Sequence, residues 1–129
     1  MRVFQTKSFA RFAIKSGIDD HALCKAVMNA ENGLIDADLG GGVIKQRVAR
    51  KGEGKSGGFR TIILFKIKDK AFFVYGFAKN EKSNIENNDL LDFRRLAADM
   101  LGYAELEIAK AVKNKLLIEV EYENKTISQ

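Results

Sequence analysis

The chain has 129 residues, of which 46% are hydrophobic and 30% charged, and its formal net charge at pH 7 is +5. These values are typical of one globular domain that is large enough to bury a core. No apolar run approaches the roughly 20 residues of a membrane-spanning helix, and the single cysteine, Cys24, has no partner for an internal disulfide. The N-terminus also lacks the features of a signal peptide, so we expect a cytoplasmic protein that does not act at a membrane.

The first third of the chain predicts one strand and two helices. "RVFQT" at residues 2–6 reads as a strand, and "KSFARFAIKSG" has aromatic residues at helical spacing and a stop signal at Gly17. "DDHALCKAVMNAENG" predicts a second helix, with Asp19 or Asp20 as its N-cap. "DADLGGG" at residues 36–42 is typical of a turn or loop.

Three strands are predicted in the middle of the chain. They cover residues 43–49, 59–67 and 71–79, and the last two are rich in residues with high strand propensity. The short "KDK" at residues 68–70 suits a hairpin turn between them. We therefore expect an antiparallel meander of three strands.

The last third of the chain predicts two helices and a final strand. "NNDLLDFRRLAADMLG" has the spacing of an amphipathic helix, with Asn88 as a plausible N-cap, and "YAELEIAKAVKN" predicts a short helix after it. "LLIEVEYENKTISQ" reads as a strand or a loose tail. The order of these elements predicts an α+β domain in which helices pack on a small antiparallel sheet.

The positive charge is concentrated in the middle third. Residues 41–82 carry eleven basic and three acidic side chains, whereas residues 1–40 are balanced and residues 83–129 have three more acidic than basic side chains. A local surplus of this kind favours a polyanionic partner over a general effect on solubility.

The stretch "KQRVARKGEGKSGGFR" is the most basic part of this region. It lacks the Walker spacing and a following helix, so a nucleotide-binding P-loop is not expected, and the loop alone is compatible with a solvated hairpin. Lys45 and Arg47, however, point to one face of their strand, and Arg60 begins the next strand, where we expect it at the sheet rim. Their charges repel unless an anion lies among them. Lys79 and Glu81, at the end of the third strand, would extend the same face.

Few other residues in the sequence are candidates for catalysis or for metal binding. His21 is the only histidine and lies in the second predicted helix, which is more typical of a helix surface than of a catalyst. No set of residues has metal-ligand spacing, so we expect no metal and no other cofactor. Phosphodiester chemistry would then depend on Lys and Arg, which neutralise phosphate and, when crowded, move protons. The strand aromatic residues are expected in the core, and Phe59, next to the loop, is the best candidate for stacking on a base.

Two segments, "GGGVIKQRVARKGEGKSGGFRTIILF" and "FFVYGFAKNEKSNI", resemble the RelE/HigB superfamily of bacterial toxins. The basic glycine loop, the Gly-Gly-aromatic-Arg strand start and the Lys-Asn-Glu strand end are most similar to the HigB-like branch. The resemblance covers about residues 2–100 and is strongest over 40–85. It implies a toxin domain at 1–102 with a RelE-like microbial ribonuclease fold, followed by an extension at 103–129 that holds a short helix and a strand or tail.

The resemblance also implies an activity and partners. Toxins of this kind cleave mRNA, usually in the ribosomal A site, by attack of the 2′-hydroxyl on the adjacent phosphate and without metal. A cognate antitoxin neutralises the toxin, and in the HigB branch that antitoxin is often a helix-turn-helix DNA-binding protein. We therefore expect mRNA, the ribosome and such an antitoxin as partners.

Site residues are carried over by position. The resemblance assigns Arg47 and Arg60 to the scissile phosphate, and it assigns proton transfer to Lys79 and Glu81. Well-known RelE toxins have an arginine after this lysine and a tyrosine slightly later, where the chain has Asn80 and, approximately, Glu86, so Glu81 or a lysine would have to take over the proton transfer. The residues expected to hold flanking RNA are Lys45, Lys51, Lys55 and Phe59.

Two other functions stay open at this point. A gyrase-poisoning toxin of the ParE branch would have the same fold but would not need a basic cluster on one sheet face, so the cluster argues against it. A non-catalytic RNA-binding module is the second alternative, and the cluster alone does not exclude it.

Overall fold

The structure is a computed structural model, and it describes residues 1–49, 58–78 and 87–122. Six strands and four helices lie in these residues, and they confirm the expected α+β class. In chain order the elements are β1 (Arg2–Thr6), α1 (Lys7–Ser16), α2 (Asp20–Glu31), β2 (Ala37–Gly40), β3 (Val43–Val48), β4 (Phe59–Lys66), β5 (Lys70–Ala78), α3 (Asn87–Met100), α4 (Glu105–Lys113) and β6 (Leu117–Val120).

All six strands form one sheet, in the order β2-β3-β4-β5-β1-β6. The expected meander of β3, β4 and β5 is confirmed, because each of these strands pairs antiparallel with the next. The N-terminal strand β1 lies between β5 and β6, and its pairing with β5 is the one parallel pairing among the described strands. The sheet is therefore mostly antiparallel.

Helices cover both faces of the sheet, which gives three layers. On one face, called here the α2 face, residues of α1 and α2 such as Phe9 and Val27 pack against Ile63 and Phe73. On the other face, called the α3 face, Met100 of α3 and further residues of α4 pack against strand residues. The central strands are buried on both faces, and this is why their sequences are nearly continuous runs of apolar residues.

The two N-terminal helices have the boundaries that their sequences predict. The side chain of Thr6 accepts a hydrogen bond from the backbone N–H of Phe9 at the start of α1, and Asp19 does the same for Ala22 at the start of α2. Such caps satisfy N–H groups that have no partner within the helix. Gly17 ends α1 in the left-handed conformation, at φ 73°, which is strained for any residue with a Cβ.

Two local predictions were wrong. Residues 36–42 were expected to form a turn or loop, but Ala37–Gly40 forms the edge strand β2, which pairs with β3 and contains an irregularity. This pairing overrides the low strand propensity of Asp and Gly. Arg94 of α3 also donates to the carbonyl oxygen of Leu39 and holds the end of β2. Asn88 was expected to cap α3, but the helix begins at Asn87, so Asn88 lies in its first turn.

The segment assigned to an extension, residues 103–129, packs on the same sheet where it is described. Ile108 of α4 and Leu117 of β6 are buried in the cluster on the α3 face. Arg2 of β1 forms ion pairs with both elements, since its guanidinium contacts Glu105 of α4 at 2.8 Å and Glu119 of β6 at 2.9 Å. Residues 123–129 lie outside the described part of the chain.

Among the described residues, no helix has the length and apolar character needed to cross a membrane.

A glycine in β5 permits the close contact between α1 and the sheet. A Cβ at Gly76 would overlap the ring of Phe12, with Cδ2 only 2.6 Å away. The ring of Phe12 also contacts Phe9 and Phe59, which limits the directions in which it can move. Gly76 is therefore required by packing, not by its backbone conformation.

We predict that Gly76→Ala lowers the free energy of unfolding by about 1–3 kcal/mol, because the added methyl group must displace an aromatic ring. Urea-induced unfolding measures this change. Gly102→Ala is the matched control, since a Cβ there meets no atom closer than 3.6 Å. A second variant, Gly76→Ala with Phe12→Leu, should lose less stability than the two single changes combined. Equal stability of Gly76→Ala and the wild type would contradict this account of the packing.

Candidate functional site

Three cationic side chains lie together on the α3 face of the sheet. In β3, Ile44 and Val48 pack on the α2 face, so Lys45 and Arg47 point to the α3 face. Arg47 is directly opposite Arg60 in the register of β3 and β4. Lys45, Arg47 and Arg60 are called the cationic cluster below. Side chains directly opposite on neighbouring strands have Cβ atoms about 4.5–5.5 Å apart, so these charges are close to one another.

One carboxylate, which sequence reasoning missed, lies within this cluster. The Oδ2 atom of Asp36 is 3.3 Å from Nε of Arg60 and 3.9 Å from Nζ of Lys45. Asp36 precedes β2, in a segment that was expected to be only a loop, and no local pattern connects it with Arg60. Among the described residues, the three positive charges and one negative charge leave the site with a local surplus of two positive charges.

Gln46 fixes the chain at Asp36. Its Oε1 accepts a hydrogen bond from the backbone N–H of Asp36 at 2.9 Å. Its Nε2 donates to the carbonyl oxygens of Ala26 in α2, at 3.0 Å, and Leu34, at 2.9 Å. The side chain of Gln46 is buried, and these three bonds leave little of its hydrogen-bonding capacity unused. The loop between α2 and β2 is therefore held against β3.

Arg60 is more buried than we expected of a residue at a strand start. Only 9% of the residue is exposed, so its side chain lies within the sheet face and not at the rim. Its Nη1 atom is shielded from solvent and has no hydrogen-bond partner in residues 1–49, 58–78 and 87–122. A buried donor without a partner costs about 1–3 kcal/mol, or more when the group is charged. Arg60 is thus a buried cation with a donor that no described residue uses.

The structure places Phe59 on the α2 face, whereas Tyr75 on the α3 face has a partly exposed aromatic ring. Phe59 packs on the α2 face, where its ring meets that of Phe12 edge to face at 5.6 Å, so the structure does not bring it to the cationic cluster. Phe77 is opposite Arg60, and the ring of Tyr75 lies 5.9 Å from the rings of both Phe77 and Phe93. Tyr75 is the only tyrosine of a central strand and is 36% exposed.

Four of the predicted site residues lie outside the described part of the chain: Lys51, Lys55, Lys79 and Glu81. The described ends of β3, β4 and β5 lie side by side, because Val48 pairs with Phe59 and Phe59 pairs with Ala78. Lys79 follows Ala78 directly in the sequence. The roles assigned to these four residues stay predictions.

Two other reactive side chains do not belong to the cluster. His21 is exposed in α2, as expected of a helix-surface residue, and this helix packs on the opposite face of the sheet. Cys24 is half-buried, its thiol donates to the carbonyl oxygen of Glu121, and burial raises the pKa of the thiol. A raised pKa leaves little thiolate at neutral pH, so Cys24 is a poor nucleophile. The described residues also contain no group of three or more side chains able to hold a metal ion.

The opposed arginines predict a gain in stability when one of them is removed. Arg47→Gln should raise the free energy of unfolding by about 0.2–1 kcal/mol, because like charges directly opposite each other on a sheet repel. Urea-induced unfolding at low ionic strength measures the gain, which should shrink as salt screens the charges. The control is Arg95→Gln on α3, since Arg95 is exposed and contacts Asp92 at 3.6 Å. A loss of stability in Arg47→Gln would show that Arg47 has a stabilising partner.

Comparison with known proteins connects this site with a family. No curated protein shows significant sequence similarity to the chain. Residues 1–120, however, match the family described as "RelE toxin of RelE / RelB toxin-antitoxin system". The match includes all ten elements of the fold and the cationic cluster. The chain therefore belongs to the RelE toxin family and is a toxin of a toxin–antitoxin system.

Proposed function

We propose that this toxin is an mRNA endonuclease that acts on translating ribosomes in the cytoplasm and needs no metal. Toxins of the RelE family are generally ribonucleases. The observation that supports the proposal for this chain is the guanidinium of Arg60, which is buried in a cluster of like charges and has one donor without a partner among the described residues. This arrangement of charges destabilises the free protein, and it becomes favourable when a phosphate binds to the guanidinium.

The charges of the site fit a phosphodiester in the reaction's transition state. The 2′-oxygen forms a bond with phosphorus, the bond from phosphorus to the 5′-oxygen breaks, and negative charge grows on the other phosphate oxygens. Arg47 and Arg60 stabilise that charge from fixed positions on neighbouring strands. An oxygen reaches Nη1 of Arg60 only when the groups over that atom move, so this hydrogen bond forms in the bound state.

Proton transfer is assigned to Lys79 and Glu81, which follow β5 in the sequence. One of them takes the proton of the 2′-hydroxyl, and the other gives a proton to the leaving 5′-oxygen. A lysine crowded by other cations loses its proton more readily, which suits it for this work. Tyr75, in place of Phe59, provides an exposed ring for stacking on a base, and Lys45, Lys51 and Lys55 hold flanking RNA.

The chain has few side chains suited to acid–base catalysis, and for this reason we propose that it needs the ribosome. The chain's one histidine lies in a helix on the other face, and the sequence has no tyrosine where well-known RelE toxins have theirs. A ribosome that holds the mRNA in line for attack supplies orientation, which is worth several kcal/mol of a reaction barrier.

The cluster favours this function over the alternatives. A gyrase-poisoning toxin has no evident use for opposed arginines at the end of two paired strands. A non-catalytic RNA-binding module would gain more from exposed cations than from a buried arginine, because counterion release depends on phosphate contacts and not on burial. The antitoxin of this pair is proposed to be a helix-turn-helix DNA-binding protein, as in the HigB-like branch.

Expression in bacteria tests the proposal and the role of Arg60 together. Induction of the wild-type toxin without antitoxin should arrest growth and shorten cellular mRNA. Arg60→Ala should abolish both effects, since loss of a fixed donor to a reacting phosphate lowers the rate by about two to three decades. Arg95→Ala is the control and should remain toxic, because Arg95 is an exposed residue of α3. Normal growth with intact transcripts, at full expression of folded wild-type protein, would refute the proposal.

End-group analysis tests the chemistry. In a purified translation system we expect cut mRNA to have a 2′,3′-cyclic phosphate or 3′-phosphate and a 5′-hydroxyl, as attack by the 2′-hydroxyl requires. Cleavage should be much faster on translating ribosomes than on free mRNA. Cleavage should give the same ends when EDTA chelates all metal except the amount that the ribosomes themselves need. Products with 5′-phosphate ends would contradict this mechanism.

A further inference from the structure

We propose that Asp36 is a positioning residue that fixes the guanidinium of Arg60 for phosphate binding, and that Gln46 fixes Asp36. This inference rests on the proposed function and adds to it two residues outside the cationic cluster. It explains how a long, flexible side chain takes one orientation before RNA binds.

The contact between Asp36 and Arg60 is well placed for this task. Oδ2 of Asp36 is 3.3 Å from Nε of Arg60, which is the nitrogen nearest to the chain. A guanidinium is planar, so a carboxylate beside Nε restricts its plane and leaves Nη1 for another acceptor once the groups that shield Nη1 move. Nη1 has no partner among the described residues. The two ends of the guanidinium thus have separate roles: one is held by the protein and the other is kept for an oxygen of the substrate.

Partial burial makes the ion pair between Asp36 and Arg60 stronger than a solvent-exposed ion pair. The side chains of Arg60 and Asp36 are 11% and 33% exposed. Lys45, whose side chain is 21% exposed, contributes a second positive charge at 3.9 Å from the same oxygen of Asp36. Partly buried charges are less screened by water and salt than exposed ones. Asp36 therefore contacts two cations and offsets their mutual repulsion.

Gln46 determines where the carboxylate lies. Its amide side chain binds the backbone N–H of Asp36 on one side and two carbonyl oxygens, of Ala26 and Leu34, on the other. Gln46 also belongs to β3, between Lys45 and Arg47, so the strand that carries two cations of the cluster also anchors the carboxylate. A buried, satisfied amide of this kind specifies one local arrangement.

The kinetic experiment uses Asp36→Asn, which removes the charge and keeps the size. With programmed ribosomes as substrate, we expect kcat to fall about 10–100-fold with a smaller change in KM, since misorientation of a catalytic group costs up to about 100-fold in rate. Asp36→Glu, which keeps the carboxylate, should recover part of kcat. Asp38→Asn is the matched control and should cleave at the wild-type rate, because the side chain of Asp38 accepts a hydrogen bond from the N–H of Gly40 and contacts no residue of the cluster.

A double-mutant cycle separates positioning from direct participation. If Asp36 acts through Arg60, then Asp36→Asn should change the residual rate of Arg60→Ala by less than about twofold. A further loss as large as in the wild-type background would overturn the inference, because it would show that Asp36 acts on the substrate itself, for example as a base. Circular dichroism of each variant checks that the fold is retained.

An NMR measurement on the free protein does not depend on cleavage. In the 15N–1H spectrum, the Nε–H signal of Arg60 should be slow to exchange with water in the wild type. It should be lost in Asp36→Asn and in Gln46→Met, and kept in Asp38→Asn. An unchanged signal in Asp36→Asn would overturn the inference even if the toxin cleaves mRNA. Absence of cleavage by the wild type would instead refute the proposed function, while loss of the signal in Asp36→Asn would still support the positioning of Arg60.

Discussion

The register between β3 and β4 is the constraint on which the site depends. It places Arg47 opposite Arg60 and Gln46 opposite Thr61, whose hydroxyl donates to the carbonyl oxygen of Gln46 at 3.0 Å. A slip of one strand by one residue would turn its arginine into the apolar layer of α1 and α2, which has no place for a charge. The apolar residues on both faces of the strands therefore help to hold the charges in position, because such a slip would bury the wrong set of side chains.

The cationic cluster lies where the second helical layer ends. Helix α3 packs its buried residues near one end of β3 and β4, where Leu101 approaches Gly42 and the N–H of Phe65 donates to the carbonyl oxygen of Gly42. Toward the opposite end of β3, burial on this face decreases from Val43 to the exposed side chain of Arg47. Within the described residues, one sheet face thus serves as core at one end and carries the cationic cluster at the other.

Because side chains alternate between the two faces of β3 and β4, part of the site could be predicted from the sequence. The positions of Lys45, Arg47 and Arg60 follow from the period of two in β3 and β4 and from the antiparallel meander. Asp36 did not follow, because its place depends on hydrogen bonds from Gln46, and a buried glutamine in a strand gives no signal of its partners. Phe59 was assigned by its distance along the chain to the basic loop, yet a strand sends neighbouring residues to opposite faces, and it is Arg60 that points to the α3 face.

The uneven distribution of charge along the sequence now has two structural explanations. The acidic surplus of the last third is partly used in fixing the sheet edge, where Glu105 and Glu119 enclose Arg2. In the cationic cluster of the middle third, in contrast, the described residues place one carboxylate, Asp36, among three cations. If stability alone had been selected, an acidic or apolar residue opposite Arg60 in β3 would have been better, because opposed arginines and a buried donor without a partner among the described residues both cost free energy. The repulsion is therefore best understood as a cost that the fold bears until an anion from outside the chain neutralises it.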